Sequence, residues 1–539
     1  MGEQVTIITM KAKEDTRKPY RVEHKHPNGT TYVYQVFSSW NKEKKQSYNK
    51  QRCIGKLDPA TGELIPNRSH AERAGIVTSD TSVTASSLVV GPTLALDAVT
   101  KELGLGEVLD RCFPDTSGQI LAMAYHLVCR GEALSHFPEW AKTHKNPSGG
   151  MLTTQRISEL LASLGEDKRQ TFLAAWLRYR SESEYLCFDI TSVSSYSALN
   201  EHVKYGYNRD GEDLPQINLA LLFGQKSMLP VYYQELPGNI SDVRTLKHLL
   251  DTFATLGMPK VHLVMDRGFY SKKNVDDLLA AGEKFEIGVP MRCKWLQDLV
   301  DQQRDDMQLP QNMKWTLGEM VYAVTCLHAW GEERKRCYVH LYYNHQTVGD
   351  TISDFNSKLL TSQRELESGE LVPAREEFYQ QYFTVRETPK RGQRITMNVE
   401  AVKKHQNKYC GYHAILTNDV KDPVLALRIY RDKDAVEKCV GGLKNQLDMK
   451  RLRTHGRFST DGRLLVQFIA VTVMSALRNK MHELKLDEKF TVRQLLADLE
   501  ALSEIRFSGR YGKLLTETTK VQRAIMEGLG VPAETWLQK

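Results

Sequence analysis

The sequence has few cysteines for its length, and they form no pattern. Nine cysteines are spread over 539 residues, and no two are spaced Cys-x-x-Cys. An odd number of scattered cysteines argues against a disulfide framework and against a zinc ribbon. We therefore expect a protein of the reducing cytoplasm.

Long hydrophobic runs are also missing. The longest apolar stretch lies between Arg463 and Arg478, and its 14 residues are too few to cross a bilayer. The chain starts Met-Gly-Glu-Gln-Val-Thr, without a basic segment followed by an apolar core, so we expect no secretory signal. The apolar stretch predicts a buried core helix, and we expect no membrane partner.

Several enzyme signatures do not occur. Gly55-Lys56-Leu57 and Gly512-Lys513-Leu514 do not complete a phosphate-binding P-loop, and neither G-x-S-x-G nor H-E-x-x-H is present. An ATP-driven enzyme and a zinc protease of the common type are thus not supported.

The overall composition is that of a folded protein. The chain is 41% hydrophobic and 26% charged, and its net charge of +7 is too small by itself to indicate a partner. At roughly 150 residues per domain, the length predicts three or four structural units.

Much of the positive charge lies at the start of the chain. Residues 1–60 contain 12 Lys or Arg against 6 Asp or Glu. Turn signals between short β-type runs predict a basic, β-rich region over residues 1–76. In it the cations Lys44, Lys45 and Arg52 alternate with Trp40 and Tyr48, a mixture typical of a DNA-contacting surface. A solvated basic hairpin is an equally good interpretation.

The middle of the chain changes character twice. Residues 88–178 have helical periodicity and could include a DNA-binding helix-turn-helix, although any helical bundle has the same pattern. From residue 183 three strands are followed by helix, strand, helix and strand, which predicts a mixed sheet covered by helices. We assign residues 183–296 and 408–482 to the two parts of this core, residues 297–407 to a β-rich inserted subdomain, and residues 483–539 to a C-terminal helical segment that could support dimerisation.

Two carboxylates occupy unusual places in the predicted core. Asp189 interrupts an apolar strand, and Asp266 ends another strand. An unpaired buried charge costs several kcal/mol, so each needs a partner or a cation. A single aspartate of this kind is commonly a turn or helix cap, but two in one sheet make a shared divalent cation a competing hypothesis.

A helix after residue 422 carries a third carboxylate. At about 100° per residue, its Tyr430, Lys433, Glu437 and Lys444 fall within one stripe about 60° wide. The pair Gly441-Gly442 in this helix indicates either a close approach of backbone or DNA, or a break in the helix.

These motifs resemble those of a known family. The segments Phe-Asp-Ile-Thr-Ser around Asp189 and Met-Asp-Arg-Gly-Phe-Tyr around Asp266, with the spacing Tyr-x2-Lys-x3-Glu-x6-Lys around Glu437, are similar to the DDE triad of bacterial insertion-sequence transposases. The branch concerned has a Tyr-Arg-Glu-Lys signature, in which Lys433 replaces the arginine and loses its bidentate phosphate contact.

The resemblance implies a fold, a chemistry and partners. The fold would be α/β: an RNase H-like mixed-sheet core interrupted by the insertion and flanked by the N-terminal β-rich arm, the helical region and the C-terminal helical segment. Asp189, Asp266 and Glu437 would be the catalytic residues and would bind Mg²⁺ or Mn²⁺, with two ions expected. The enzyme would cut and join DNA, acting as a homodimer on the terminal inverted repeats of its element and on target DNA in the bacterial nucleoid.

The same resemblance implies DNA-binding residues. Tyr430, Lys433 and Lys444 would hold the terminal phosphate, and Arg267 lies beside Asp266. Residues 450–463 have a net charge of +4 and form either a DNA-backbone track or a solvated loop. The members of this basic cluster that we list as DNA-binding candidates are Lys450, Arg451, Arg453 and Arg457. One of Trp295, Trp315 and Trp330 could stack on a flipped base, with core packing as the alternative for each.

Two other functions remain open at this point. The chain could be a domesticated relative that binds DNA without transposing it, or a metal-dependent nuclease of the same fold. Inverted repeats flanking the coding region would distinguish a transposase from both.

Overall fold

The structure is a computed structural model that describes most of the chain. The residues described are 5–6, 19–27, 29–41, 45–59, 61–74, 85–180, 185–197, 199–208, 211–257, 260–316, 318–372, 375–388, 392–405, 409–447, 451–452, 454, 456–507 and 512–537. The chain divides into two compact units, one of residues 1–86 with 506–513 and one of residues 87–505 with 514–539.

The first unit is built on an antiparallel sheet with the strand order β1-β2-β3-β4-β5. Its strands are β1 (Val5–Thr6), β2 (Tyr20–Lys25), β3 (Thr31–Asn41), β4 (Gln46–Leu57) and β5 (Leu64–Pro66), followed by helix α1 (Arg68–Ala74). Val22, Val33, Val36 and Ile54 are buried. Strands were predicted for this part of the chain, and they are present.

The second unit starts with helices, as the periodicity of residues 88–178 predicts. After strand β6 (Ala85–Val89) come α2 (Gly91–Glu102), α3 (Leu105–Cys112), α4 (Ser117–Arg130), α5 (Phe137–Thr143), α6 (Thr154–Ser163) and α7 (Glu166–Tyr179). Gly104 separates α2 from α3 with a φ of 67°, a left-handed conformation that favours glycine.

The sheet of the second unit contains all the strands predicted between residues 185 and 289. These are β7 (Tyr185–Ser195), β8 (Gln216–Gly224), β9 (Pro230–Pro237), β10 (His262–Met265) and β11 (Lys284–Val289). They lie in the order β9-β8-β7-β10-β11. β7 pairs antiparallel with β8 and parallel with β10, and β10 pairs parallel with β11. Helices α8 (Asp242–Thr255) and α9 (Lys272–Ala281) make the connections.

The region after residue 290 differs from the predicted β-rich subdomain. After α10 (Lys294–Met307), strands β12 (Met313–Thr316), β13 (Glu319–Trp330) and β14 (Lys335–Tyr343) continue the same sheet, and β14 pairs with β17 (Tyr412–Thr417). β17 in turn pairs with β11. These strands extend the core sheet because their apolar residues, such as Val339 and Leu341, are buried in the main hydrophobic core.

The rest of the predicted insertion is mainly helical. It consists of α11 (His345–Ser368), α12 (Glu376–Tyr382), the hairpin β15 (Phe383–Thr388) and β16 (Gly392–Met397), and α13 (Val399–His405). Its small core includes Phe355, Leu359 and Tyr382. The apolar spacing of a mostly polar helix is sparse, which is why the sequence did not reveal α11.

Two long helices complete the second unit's core. α14 (Pro423–Gln446) packs against β7, β10 and β11. After the short strand β18 (Arg451–Leu452), α15 (Arg457–Glu483) packs against α4 and α6. Among the described residues α15 is long and apolar enough by composition to cross a membrane, but its apolar window is entirely buried inside the molecule. The predicted buried core helix is therefore confirmed.

The C-terminal segment contains the helices α16 (Val492–Leu499) and α17 (Lys520–Gly528), and two strands that were not predicted, β19 (Ser503–Phe507) and β20 (Lys513–Leu515). Thr491 and Thr519 begin the two helices with capping boxes.

Candidate active site

Two of the predicted catalytic carboxylates belong to adjacent parallel strands: Asp189 lies within β7, and Asp266 directly follows β10. Met265 of β10 is in register with Phe188 of β7, so Asp266 and Asp189 are the next pair. Neighbouring strands are about 4.8 Å apart, and paired residues point to the same face of a sheet. The sheet thus brings together two carboxylates that are 77 positions apart in the sequence.

The helix that carries the third predicted carboxylate is attached directly to this pair. In α14 the Tyr430 hydroxyl donates a hydrogen bond to Oδ1 of Asp266, with an oxygen–oxygen distance of 2.9 Å. Burial, followed by the charge of Asp266, raises the pKa of Tyr430 well above its usual value. The phenol therefore stays protonated and remains a donor to the carboxylate.

A glycine in β11 makes room for this contact. A Cβ atom at Gly288 would lie 2.4 Å from the Tyr430 hydroxyl oxygen and 3.1 Å from the Arg267 backbone nitrogen. Any side chain here would push the phenol away from Asp266. Gly288 is thus part of the site although it carries no functional group.

Helix α14 runs through Gly441 and Gly442 to Gln446. The alternative that the helix breaks at these glycines is therefore wrong, and a Cβ at Gly441 would meet no atom within 4 Å. Position 437 lies seven residues after Tyr430, nearly two complete turns, so both positions are on one face of the helix. The side chains of Glu437 and Lys444 lie outside the described part of the structure.

Lys433, the residue predicted to take the place of the arginine in the Tyr-Arg-Glu-Lys signature, lies inside the protein. It is only 2% exposed, its Nζ is 5.7 Å from the centre of the Tyr430 ring, and it is 3.8 Å from Oδ1 of Asp434. The neighbouring Arg431 pairs with Glu319 at the start of β13. The two cations thus have different surroundings, with Lys433 on the buried side of α14.

A buried glutamate next to the site was not predicted. Glu286 of β11 is fully buried, and neither of its carboxylate oxygens has a hydrogen-bond partner among the described residues. Desolvation raises its pKa to about 9, so it is protonated at neutral pH. It is two residues before Gly288 and therefore on the same face of the strand. A single Glu in the apolar run Phe285 to Val289 was the available sequence signal.

The donor set suits a hard divalent cation. Aspartate oxygens are the ligands that Mg²⁺ prefers, and Asp189 and Asp266 are placed to share an ion. The described side chains contain no group of three or more potential ligands, which leaves Glu437 as the third ligand expected from the sequence. Asp189 and Asp266 therefore fit a divalent ion.

The predicted DNA-binding cations have different environments. Arg267 is exposed beside Asp266. Arg451 donates to Oε1 of Glu212 from Nη2 at 2.8 Å, and Arg457 pairs with Glu201 and, at 3.9 Å, with Glu166. Lys450 and Arg453 lie outside the described residues. Two of the residues predicted to contact the DNA backbone, Arg451 and Arg457, thus form ion pairs within the protein.

The N-terminal candidates lie on the first unit. Lys45 and Arg52 are exposed, and the Arg52 guanidinium lies 6.0 Å from the Phe37 ring. Lys44 is outside the described residues. Both cations therefore lie on the surface of the first unit.

The three tryptophans are not equivalent. The Trp330 indole donates to Asp276 at 2.7 Å and the Trp295 indole to the Tyr270 hydroxyl at 3.0 Å, and the two rings pack edge to face. Trp315 of β12 is 74% exposed. Core packing, the alternative to base stacking, thus accounts for Trp295 and Trp330.

Comparison with known proteins identifies a family. Residues 180–473, more than half of the chain, match the family model described as a transposase DDE domain. No match was found among curated protein sequences. Among solved structures, the chain is similar to the piggyBac transposase in a cryo-EM structure of its synaptic complex with hairpin DNA. The TM-score is 0.35 and the identity 8%, over 76% of this chain and 69% of that one.

Proposed function

Since the chain belongs to the family of transposases with a DDE domain, we propose that it cuts DNA at the ends of an insertion sequence and joins those ends to target DNA. Its activity as a DNA transposase follows from the family. The observation that carries the proposal is the placement of Asp189 beside Asp266, with Tyr430 of the Glu437 helix bonded to Asp266.

The strand order supports an RNase H-like core. Three antiparallel strands, β7 to β9, lead into β10 and β11, which are added in parallel on the other side of β7. Asp189 is then on the first strand and Asp266 follows the fourth. The spacing of Tyr430, Lys433, Glu437 and Lys444 supports membership of the bacterial Tyr-Arg-Glu-Lys branch.

Enzymes with this domain depend on a divalent metal, generally Mg²⁺. In this chain Asp189, Asp266 and Glu437 would hold it, and two ions are our proposal. When bound, such ions stabilise charge on a phosphodiester and lower the pKa of an attacking hydroxyl. The protein must therefore hold its carboxylates ionised and correctly oriented.

The described residues provide that orientation. The Tyr430 hydroxyl fixes Oδ1 of Asp266 with a hydrogen bond to a charged acceptor, which is stronger than a neutral one. The Nζ of Lys433 lies 5.7 Å from the centre of the same ring. We propose that Lys433 and Lys444 stabilise the phosphate at the element's end, with Arg267 at the exposed edge.

Other parts of the proposal concern the DNA and the assembly. Trp315 is the candidate for stacking on a flipped base, because its ring is exposed whereas Trp295 and Trp330 are packed together. Cleaving and joining two DNA ends together would require two active sites, which favours a homodimer. We place the enzyme in the bacterial cytoplasm, associated with the nucleoid.

The test uses Glu437→Gln and Asp189→Asn. Both should abolish Mg²⁺-dependent cleavage of a DNA fragment carrying the element's end, while binding of that fragment in a gel-shift assay stays largely intact. Normal cleavage by either variant would contradict the triad. Strand transfer by the wild-type protein into a target plasmid separates a transposase from a nuclease, which would cut without joining.

A further inference from the structure

Two neighbouring tyrosines project into solvent from the segment Lys204 to Asn208. Tyr205 is 69% exposed and Tyr207 is 81% exposed. Single exposed apolar residues are common on protein surfaces, but a group of them marks a binding surface. Tyr196, the residue after β7, and Phe458, near the start of α15, are also largely exposed.

The backbone beneath the two rings is held firmly. The Lys204 nitrogen and carbonyl oxygen each bond to the backbone of Gln216 at 2.9 Å. The Gln216 side-chain amide donates to the Tyr207 carbonyl at 2.9 Å, and the Asn208 amide donates to the Ser194 hydroxyl at 3.3 Å. The rings are therefore presented by a fixed segment.

Gly206 determines which way this segment faces. A Cβ at Gly206 would lie 2.1 Å from the Gly238 carbonyl oxygen, so position 206 is pressed against the protein. Tyr205 and Tyr207 lie on either side of Gly206 and are both largely exposed, so both rings are on the solvent side of the segment. Being two residues apart, their backbones are separated by at most about 7 Å. Because stacked bases are about 3.4 Å apart, a gap of this size accommodates one base between two rings.

We propose that Tyr205 and Tyr207 clamp one unpaired base of the DNA strand bound at the catalytic carboxylates. This inference rests on the proposed function. Asn208 contacts Ser194, which is five residues beyond Asp189 on β7, about 17 Å along the strand. That distance corresponds to roughly five nucleotides. The exposed Lys204 adds a cation for a neighbouring phosphate, the combination used by proteins that bind single strands.

The test measures stacking directly and without catalysis. The full-length protein, in EDTA, is titrated into a single-stranded thymidine oligonucleotide containing one 2-aminopurine, whose fluorescence falls when it stacks. Wild type should bind and quench the probe. The double variant Tyr205→Ala/Tyr207→Ala should bind roughly 5- to 150-fold more weakly and lose the quenching. Tyr205→Phe/Tyr207→Phe should behave as wild type, because stacking uses the ring and not the hydroxyl.

Tyr179→Ala, an exposed tyrosine on α7, is the matched control and should leave quenching unchanged. Equal affinity and quenching for the double alanine variant would overturn the proposal. If that variant does not fold, photocrosslinking of a 5-bromouracil oligonucleotide to the wild-type protein decides instead. Crosslinked peptides containing residue 205 or 207 support the clamp, and crosslinks only elsewhere overturn it.

The clamp and the proposed function can fail separately. Asp189→Asn should quench the probe like wild type while losing cleavage. Cleavage by Asp189→Asn would contradict the triad and leave the quenching result standing. If only Tyr205→Ala/Tyr207→Ala loses the quenching, and wild type cleaves DNA in the presence of Mg²⁺, both the clamp and the proposed function are supported.

Discussion

The phenol of Tyr430 on helix α14 hydrogen-bonds to Asp266 at the end of strand β10, although 164 positions separate the two residues. This contact ties the helix of the third carboxylate to the sheet that holds the first two. We therefore predict that Tyr430 acts by positioning Asp266, since its raised pKa keeps it a donor and unsuited to act as a base.

Tyr430→Phe removes the hydrogen bond and keeps the ring. We expect cleavage of end DNA to fall by roughly 10- to 150-fold, because a hydrogen bond to a charged group contributes about 1.5–3 kcal/mol. The Mg²⁺ concentration for half-maximal cleavage should rise, while DNA affinity in a gel-shift assay should change little. Tyr342→Phe is the control, because that buried hydroxyl donates to the Pro423 carbonyl and, among the described residues, to none of the predicted catalytic carboxylates. If Tyr342→Phe reduced cleavage and raised the Mg²⁺ requirement as much as Tyr430→Phe, the role of the Tyr430 hydroxyl would be structural only.

Gly288→Ala should interfere with the same contact from the opposite side. The added methyl group would meet the Tyr430 hydroxyl at 2.4 Å and displace it. Tyr430→Phe removes that oxygen. In this background Gly288→Ala should therefore reduce the cleavage rate much less than it does in the wild-type protein. This non-additivity in cleavage rate is the measurement. Gly441→Ala on α14, where the added Cβ meets nothing, should preserve activity and stabilise the helix by up to about 1 kcal/mol. Additive losses at 288 and 430 would argue against the contact.

Glu286 should make stability decrease with rising pH. Its pKa is about 9 in the folded protein against 4.5 as the ordinary value, so between those limits the folded state binds the additional proton. Raising the pH across this window therefore favours unfolding, by at most about 1.4 kcal/mol per pH unit. Glu286→Gln, which does not titrate, should have a flatter profile in urea unfolding measured from pH 5 to pH 9. Profiles with the same slope in both proteins would show that Glu286 is not protonated in the fold.

Lys444→Ala should weaken binding to end DNA without changing the fold. A lysine that contacts a phosphate releases a counterion on binding, so its loss should reduce the slope of log affinity against log salt by about one. Fluorescence anisotropy across a range of salt concentrations measures this slope. The charge-preserving Lys444→Arg is the control. Unchanged affinity and slope for the alanine variant would remove Lys444 from the phosphate site.

The sequence by itself determined the chemical outline of this protein. The apolar run that contains Asp189 and the one that leads to Asp266 predicted strands, and the structure has both strands. The spacing from Tyr430 to Lys444 predicted a helix with one polar stripe, and α14 is continuous over it. These features depend on local periodicity, which is why they could be read from neighbouring residues. The DDE family assignment rests on the same motifs and is confirmed by the match over residues 180–473.

Only the tertiary structure decided how these parts meet. The space that Gly288 leaves for Tyr430, the ion pairs that occupy Arg451 and Arg457, and the addition of β12 to β14 to the core sheet all join segments distant in the chain. Glu286 could be noticed in the sequence, but its protonation follows from complete burial. Contacts of this kind depend on strand register and helix packing, which no local pattern specifies.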